Sequence, residues 1–187
     1  MFYLKKAIIE LFNEKNQNMI ESIKEEHLNG CNYIKIPLTF PMYILKYTNL
    51  LKKEKNFDYN FIGTISNKRK WILKYNKNSV IKNSGYGRDI NNKYEIDKYY
   101  YNTISKSKFT ITPTGDCNWS YRFFEAIMCL SIPILENNSN DIYMKDYFCF
   151  FDKDQHIYDK DKAIENYNKF IKSKHFLKNI PELENYL

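Results

Sequence analysis

Two residues three positions apart, Arg122 and Glu125, have side chains that suit the recognition of a nucleoside diphosphate. A guanidinium can bind two phosphate oxygens at once, and a carboxylate can accept hydrogen bonds from both hydroxyls of a ribose. Just before them, Gly115 would let the backbone approach a ligand closely, and Asp116 and Ser120 have side chains that cap helices. Together these residues indicate a nucleoside-diphosphate cradle. The alternative is an ordinary βαβ unit in which Arg122 and Glu125 form a solvated i,i+3 ion pair.

The elements around this cradle form a predicted strand, loop, helix and strand between Lys106 and Leu135. The pattern predicts strands over 108–112 and 131–135, with a helix over 121–129 between them. A right-handed crossover would place the loop and the helix start at the carboxyl edge of the strands, where open α/β sheets bind ligands. The unpaired N–H groups at the helix start suit a diphosphate.

The rest of the chain continues the alternation of strands and helices. The pattern predicts strands at 59–66, 79–82 and 148–151, and helices at 68–77, 93–107 and 161–174. Strands that alternate with helices imply a parallel, doubly wound sheet. The expected fold class is therefore α/β, with a Rossmann-like parallel sheet and flanking helices.

Two regions are expected along the chain. Residues 2–27 have the period of one or two amphipathic helices, and 31–44, with Pro37 and Pro41, favour an extended linker or edge strand. We therefore expect a short helical N-terminal region and linker over residues 1–58, and an α/β nucleotide-sugar-binding domain over residues 59–187.

The composition favours a folded globular protein. Of the 187 residues, 43% are hydrophobic, enough for one sizeable core. The net charge of +7 comes from scattered lysines without a Lys/Arg block, so no nucleic-acid partner is expected. The four cysteines form no CxxC pair, which argues against a zinc knuckle or a disulfide framework. There is no apolar run of about 18 residues, and charges interrupt the N-terminus early, so we expect no membrane span and a cytoplasmic location.

Two further patterns have both a chemical and a structural interpretation. The segment GYGRDI at 85–90 is predicted to be a turn, from which Arg88 could give a second phosphate contact. The tyrosine-rich segment at 97–107 could stack on a base or a sugar, but we favour a role in the core between helix and sheet.

Two Asp-Lys-Asp triplets have the spacing by which carboxylates hold Mg²⁺ or Mn²⁺ against a diphosphate. They are Asp152 to Asp154 and Asp159 to Asp161. Such triplets are common in loops rich in Lys and Asp, so we favour a solvated turn and a helix cap. We therefore expect neither a metal site nor a cofactor.

The segment from Ser107 to Leu135 resembles the signature of the exostosin family of glycosyltransferases. Members of that family share SKF, then P-x-G, then S-x-R-x-x-E-A and a closing strand of I-P-V type. The matching positions are Ser107, Lys108, Phe109, Pro113, Gly115, Ser120, Arg122, Glu125, Ala126, Ile132 and Pro133. Before the closing strand, where resembling sequences often have Gly, this chain has Leu130 and Ser131.

The resemblance covers roughly residues 59–155 and implies the C-terminal, donor-binding half of a two-domain enzyme of the GT-B type. In that half the donor is a UDP-sugar or another nucleoside-diphosphate sugar. The loop at 115–121, with Ser120 and Tyr121, would hold the diphosphate together with Arg122. Glu125 would hold the ribose.

The resulting hypothesis is a glycosyltransferase that transfers a sugar from a nucleoside-diphosphate sugar to a hydroxyl of a glycan or protein acceptor. The alternative is a noncatalytic module that binds a nucleotide sugar or a glycan. About 58 residues precede the α/β region, which is too short for a second Rossmann-like domain. A homo-oligomer or a partner subunit could therefore supply the acceptor site, and the sequence identifies no catalytic base.

Overall fold

The computed structural model describes residues 40–84, 96–114, 120–137, 144–172 and 177–178. These residues form one main sheet of five parallel strands in the spatial order β3-β2-β4-β5-β6. The strands are β2 (Phe57–Gly63), β3 (Ser79–Asn83), β4 (Ser107–Ile111), β5 (Ile132–Leu135) and β6 (Phe150–Phe151). A separate parallel pair joins β1 (Phe40–Pro41) to β7 (Leu177–Lys178). The predicted Rossmann-like α/β fold is confirmed.

Helices cover the two faces of the sheet unequally. The described helices are α1 (Met42–Leu50), a 3₁₀ helix (Asn67–Lys74), α2 (Lys98–Ser105), α3 (Tyr121–Met128) and α4 (Lys160–Lys172). All four α-helices contribute to the core on one face, while the 3₁₀ helix and Ala163 of α4 contribute to the core on the other. Among the described residues, no helix is long and apolar enough to cross a membrane.

Side chains alternate along β2, so this strand contributes to the core on both faces of the sheet. Phe61 belongs to the core with the 3₁₀ helix, and the next residue, Ile62, belongs to the core with α1 to α3. Each fully buried side chain of this size stabilises the fold by about 1.5–3 kcal/mol. At these two positions β2 is therefore apolar on both sides, as is typical of parallel sheets.

The structure corrects two predictions of secondary structure. Residues 42–44 are not extended, because α1 begins at Met42 directly after Pro41. A proline is compatible with a helix start, and Ile44 and Leu45 bury the inner side of α1 against the core. The segment predicted as a helix at 68–77 is the 3₁₀ helix Asn67–Lys74.

The predicted helices within residues 2–27 lie outside the described residues. Strand β6 covers only the last two positions of the predicted strand 148–151. Helix α1 joins the α/β core although it precedes residue 58, where the sequence places the boundary between regions. That boundary stays a prediction.

A partly buried lysine joins the carboxyl ends of α2 and α3 at the amino edge of the sheet. The ammonium of Lys55 donates hydrogen bonds to the carbonyl oxygens of Ser105 at 2.8 Å and Cys129 at 3.0 Å. A cation suits this position, because the last carbonyls of a helix carry partial negative charge. Burial nevertheless lowers the pKa of Lys55 to about 7, since the charged form loses its hydration.

The end of α3 adopts a left-handed conformation at a residue that is not glycine. Leu130 has a φ of 54°. Its N–H donates to Ile127 O at 3.0 Å, and Ser131 N–H donates to Ala126 O at 2.9 Å, the two bonds of a Schellman motif. A glycine would adopt this φ without the steric cost that a leucine side chain brings.

Candidate functional site

The strand order places a topological switch point between β2 and β4. From β2 the chain moves outward to β3, and it then crosses to β4 on the other side of β2 before continuing to β5 and β6. The connections after β2 and β4 therefore diverge at the carboxyl edge. In open α/β sheets this divergence creates a crevice in which ligands bind.

Arg122 reaches across this crevice from the start of α3 to the end of β2. Its Nη2 donates a hydrogen bond to Ile62 O at 2.7 Å, and its guanidinium carbon lies 4.5 Å from the centre of the Phe61 ring. Gly63 leaves room for this arrangement, because a β-carbon at that position would lie 2.8 Å from Nη2. Among the described residues, no carboxylate forms an ion pair with Arg122.

A second guanidinium, that of Arg69, connects the two sides of the same crevice. Arg69 lies in the first turn of the 3₁₀ helix that follows β2. Its Nη1 donates to Thr64 O at 3.2 Å and its Nη2 to Thr114 O at 2.7 Å. Arg69 was not among the predicted site residues, although its place at the start of the helix predicted to follow the strand at 59–66 was an available signal.

The start of α3 contains buried polar atoms that have no partner. Ser120 precedes α3 with an extended backbone, and it makes no capping hydrogen bond with its side chain. Among the described residues, the Oγ of Ser120 and the Nε of Arg122 are both buried without a hydrogen-bond partner. Buried polar atoms without a partner are uncommon in native proteins. Here they lie beside the N–H groups of a helix start, which favours the binding of an anion.

Glu125 does not face the crevice. Its side chain is fully buried, at 0% exposure, and its two oxygens accept hydrogen bonds from Tyr100 Oη at 2.6 Å and Tyr101 Oη at 3.1 Å. Burial, and then the nearby Glu125 carboxylate, raise the pKa of Tyr101 well above its usual value, which keeps this phenol a hydrogen-bond donor.

These contacts bear on both sequence-based interpretations of Glu125. The alternative of a solvated ion pair with Arg122 is wrong, because the Glu125 carboxylate is buried. The ribose contact stays a prediction that the observed contacts do not support, since both carboxylate oxygens already accept hydrogen bonds from tyrosines.

A different carboxylate, that of Glu136, lies at the carboxyl edge. Glu136 follows β5 directly and is partly buried. Its Oε1 accepts from Trp71 Nε1 at 3.1 Å, and its Oε2 accepts from Thr114 Oγ1 at 2.9 Å. Because Arg69 donates to the carbonyl of the same Thr114, a cation and an anion both bind the residue directly before position 115. No pattern in the sequence indicated this network.

The other predicted donor-binding residues divide into two groups. Tyr121 is buried in the core on the α3 side of the sheet. Gly115, Asp116 and Arg88 lie outside the described residues. The structure therefore brings Ser120 and Arg122 to the crevice, together with Arg69 and Glu136.

The Asp-Lys-Asp triplets make the turn and cap contacts favoured from the sequence. Asp152 pairs with Lys74 Nζ at 2.6 Å and accepts from Tyr75 Oη at 2.8 Å. Asp154 accepts from Phe151 N. Asp159 Oδ1 accepts from two N–H groups at the start of α4. These aspartates stabilise turns and a helix start.

The tyrosine-rich segment forms part of the core, as predicted. Tyr100 and Tyr101 of α2 are buried, whereas Tyr99 is 56% exposed on the outer side of the same helix. The buried pair packs with α3 and holds the Glu125 carboxylate.

Comparison with known proteins gives one match to a family. The family model of the RXYLT1 C-terminal domain, which describes an exostosin-related xylosyltransferase family, matches residues 39–183. This match supports the resemblance to exostosin-like glycosyltransferases at the level of the family. A search of curated proteins finds no match to the chain.

Proposed function

Because the chain belongs to the RXYLT1 C-terminal domain family, an exostosin-related glycosyltransferase family, we propose that it binds a nucleoside-diphosphate sugar and serves in transfer of that sugar to a hydroxyl acceptor. The proposed site is the crevice between β2 and β4. It would act as the donor-binding half of an enzyme of the GT-B type. The acceptor would be a glycan or a protein.

The observation that carries this proposal is the presence of two guanidinium groups at the switch point. Arg122 is anchored to Ile62 O and Arg69 to Thr64 O, so both cations lie within a few residues of the end of β2. Guanidinium groups bind phosphate oxygens with two parallel hydrogen bonds, and a nearby helix start adds N–H donors. This combination fits a diphosphate better than it fits an uncharged sugar.

The same groups can assist the chemical step. When an acceptor hydroxyl attacks the anomeric carbon, the bond from that carbon to the diphosphate oxygen breaks, and the electron pair leaves with the diphosphate. Negative charge therefore grows on the phosphate oxygens in the transition state. Arg122 and Arg69, fixed in advance by backbone carbonyls, would stabilise that charge without further reorganisation. The acceptor and the base that takes its proton would come from outside the described crevice, for example from a partner subunit.

Calorimetric titration with UDP, GDP and their sugar conjugates tests the binding step. UDP-xylose is the first donor to try, given the family. We expect Arg122→Lys and Arg69→Lys to weaken binding by about 10-fold or more, because lysine keeps the charge but loses the paired hydrogen bonds. Because the Arg-to-Lys variants keep the net charge, the matched control is Lys169→Arg, a charge-conserving exchange on the outside of α4, which should bind as the native chain does. Failure of every nucleotide to bind the native chain would refute the proposal.

Donor turnover tests the catalytic step. The native chain, alone and with a candidate partner chain, should release the nucleoside diphosphate when an acceptor is present, and Arg122→Lys should slow that release. Tight binding without transfer or donor hydrolysis would instead identify the chain as a noncatalytic nucleotide-sugar-binding module.

A further inference from the structure

The Glu136 carboxylate retains capacity to bind a ligand. Each of its two oxygens accepts one hydrogen bond, from Trp71 Nε1 and Thr114 Oγ1 respectively. A carboxylate has about four acceptor sites, so each oxygen can accept another hydrogen bond. The side chain is partly buried and lies at the carboxyl edge, directly after β5. The two observed hydrogen bonds therefore fix the position of the carboxylate, and its oxygens can still accept hydrogen bonds from a ligand.

The position of Glu136 relative to Arg69 gives the crevice a polarity. Thr114 accepts from Arg69 through its carbonyl at 2.7 Å and donates to Glu136 through its hydroxyl at 2.9 Å. The positive charges lie towards β2 and β4, and the negative charge lies towards β5. A diphosphate would be attracted to the first side and repelled from the second. The part of a ligand beside Glu136 must therefore carry no negative charge and must donate hydrogen bonds.

The carboxylate of Glu125 in α3 cannot bind a ligand in the crevice in the observed arrangement. Glu125 is fully buried and already accepts hydrogen bonds from Tyr100 and Tyr101. Exposing it would require two core tyrosines to move. Glu136 needs no such rearrangement.

We propose that Glu136 is the residue that recognises the ribose hydroxyls of the bound nucleotide, in place of Glu125. This inference rests on the proposed function, since it assigns one part of the same ligand. The two hydroxyls of a ribose can donate to the two oxygens of one carboxylate. The indole N–H of Trp71 donates to Glu136 and so fixes the position of the carboxylate. The donor then lies with its diphosphate at Arg69 and Arg122 and its nucleoside towards β5.

The test compares nucleotides that differ only in the ribose hydroxyls. UDP and GDP are each titrated calorimetrically beside their 2′,3′-dideoxy analogues. The native chain should prefer the ribonucleotide by about 10- to 100-fold, the range for hydrogen bonds to a charged group. Glu136→Gln should reduce this preference to below about 3-fold while binding of the dideoxy analogue changes little. Glu125→Gln should leave the preference unchanged.

A structural role for Glu136 predicts a different result. Trp71→Phe removes one hydrogen bond of the network and keeps the carboxylate, so it should retain most of the ribose preference. If Trp71→Phe abolishes the preference as fully as Glu136→Gln, the carboxylate acts only through the network and the inference is wrong. A preference lost in Glu125→Gln, or equal binding of both analogues by the native chain, would also overturn it. If no ribonucleotide binds the native chain, the proposed function itself fails.

Discussion

The guanidinium of Arg122 occupies the space into which any side chain at position 63 would project. A β-carbon on Gly63 would lie 2.8 Å from Nη2 of Arg122 and 3.1 Å from the ring of Phe61. Real β-carbons essentially never approach another heavy atom as closely as the first of these distances. The end of β2 and the start of α3 therefore fit together only because residue 63 has no side chain.

Gly63→Ala should displace Arg122 and weaken nucleotide binding. The added methyl group must push the guanidinium away from Ile62 O, so we expect UDP affinity to fall by about 10-fold, with some loss of thermal stability. Ile62→Val is the matched control, because it loosens the neighbouring core by about 0.5–1.5 kcal/mol without touching Arg122. Titration and thermal unfolding of both variants check this. Native affinity in Gly63→Ala would show that the position of Arg122 is unimportant.

Ser120→Ala should weaken ligand binding but leave the stability of the fold nearly unchanged. The Ser120 hydroxyl is buried and makes no hydrogen bond in the described structure, so its removal should change the free energy of unfolding by less than about 0.5 kcal/mol. If a phosphate oxygen is its partner, the same change should weaken UDP binding by about 5- to 10-fold. Denaturant unfolding and calorimetry on the same preparation measure both quantities. A variant that loses stability but not affinity would contradict the assignment.

Tyr100→Phe should destabilise the fold through Glu125. The buried carboxylate loses a donor at 2.6 Å, which should cost about 1–3 kcal/mol. When residue 125 is already Gln, Tyr100→Phe should destabilise the fold less than it does in the native chain. A double-mutant cycle of Tyr100→Phe and Glu125→Gln should therefore give a coupling energy above about 0.5 kcal/mol. Tyr99→Phe, on the exposed side of the same helix, is the control and should be neutral. Additive effects of the two substitutions would show that the hydrogen bond contributes little.

Lys55 should make stability increase with pH above neutrality. Its pKa is lowered by burial from 10.5 to about 7, so between these pH values the unfolded chain holds more protons than the folded chain. The contribution of Lys55 to the free energy of unfolding should therefore rise with pH across this window, by at most about 1.4 kcal/mol per pH unit. A neutral amine still has two N–H donors for Ser105 O and Cys129 O, so its contacts survive deprotonation.

Lys55→Met removes this titration. Urea unfolding at intervals from pH 7 to pH 10 should therefore show a smaller slope for the variant than for the native chain. Lys169 is an exposed lysine on α4, and Lys169→Met should keep the native slope of unfolding free energy against pH. Parallel curves for the native chain and Lys55→Met would mean that Lys55 stays fully protonated in the fold.

Much of the architecture follows from local patterns in the sequence. The helix predicted to start at Tyr121 does start there, and the strands predicted at 79–82 and 108–112 lie within one residue of those observed. Helix α3 and strand β4 are buried at nearly all positions, whereas no residue of the edge strand β3 is fully buried. The helix that begins after Pro41 was not predictable, because a proline is equally compatible with an extended segment and with the residue before a helix.

The site was less predictable, because its contacts join residues far apart in sequence. Arg69 and Thr114 are 45 positions apart, and Thr114 and Glu136 are 22 apart. Periodicity gives the strands but not their spatial order, and the order decides which strand ends meet. For the same reason the sequence could not show that two tyrosines of α2 bury Glu125.

The crevice joins parts of the chain that separate completely when the protein unfolds. The contact from Arg122 to the end of β2 spans 60 positions. A ligand held there acts as a reversible cross-link that exists only in the folded state. At a concentration 100 times its dissociation constant, such a ligand stabilises the fold by about 2.7 kcal/mol. The supply of donor would then set how long the chain survives proteases, so the unliganded protein should be the form that is degraded first.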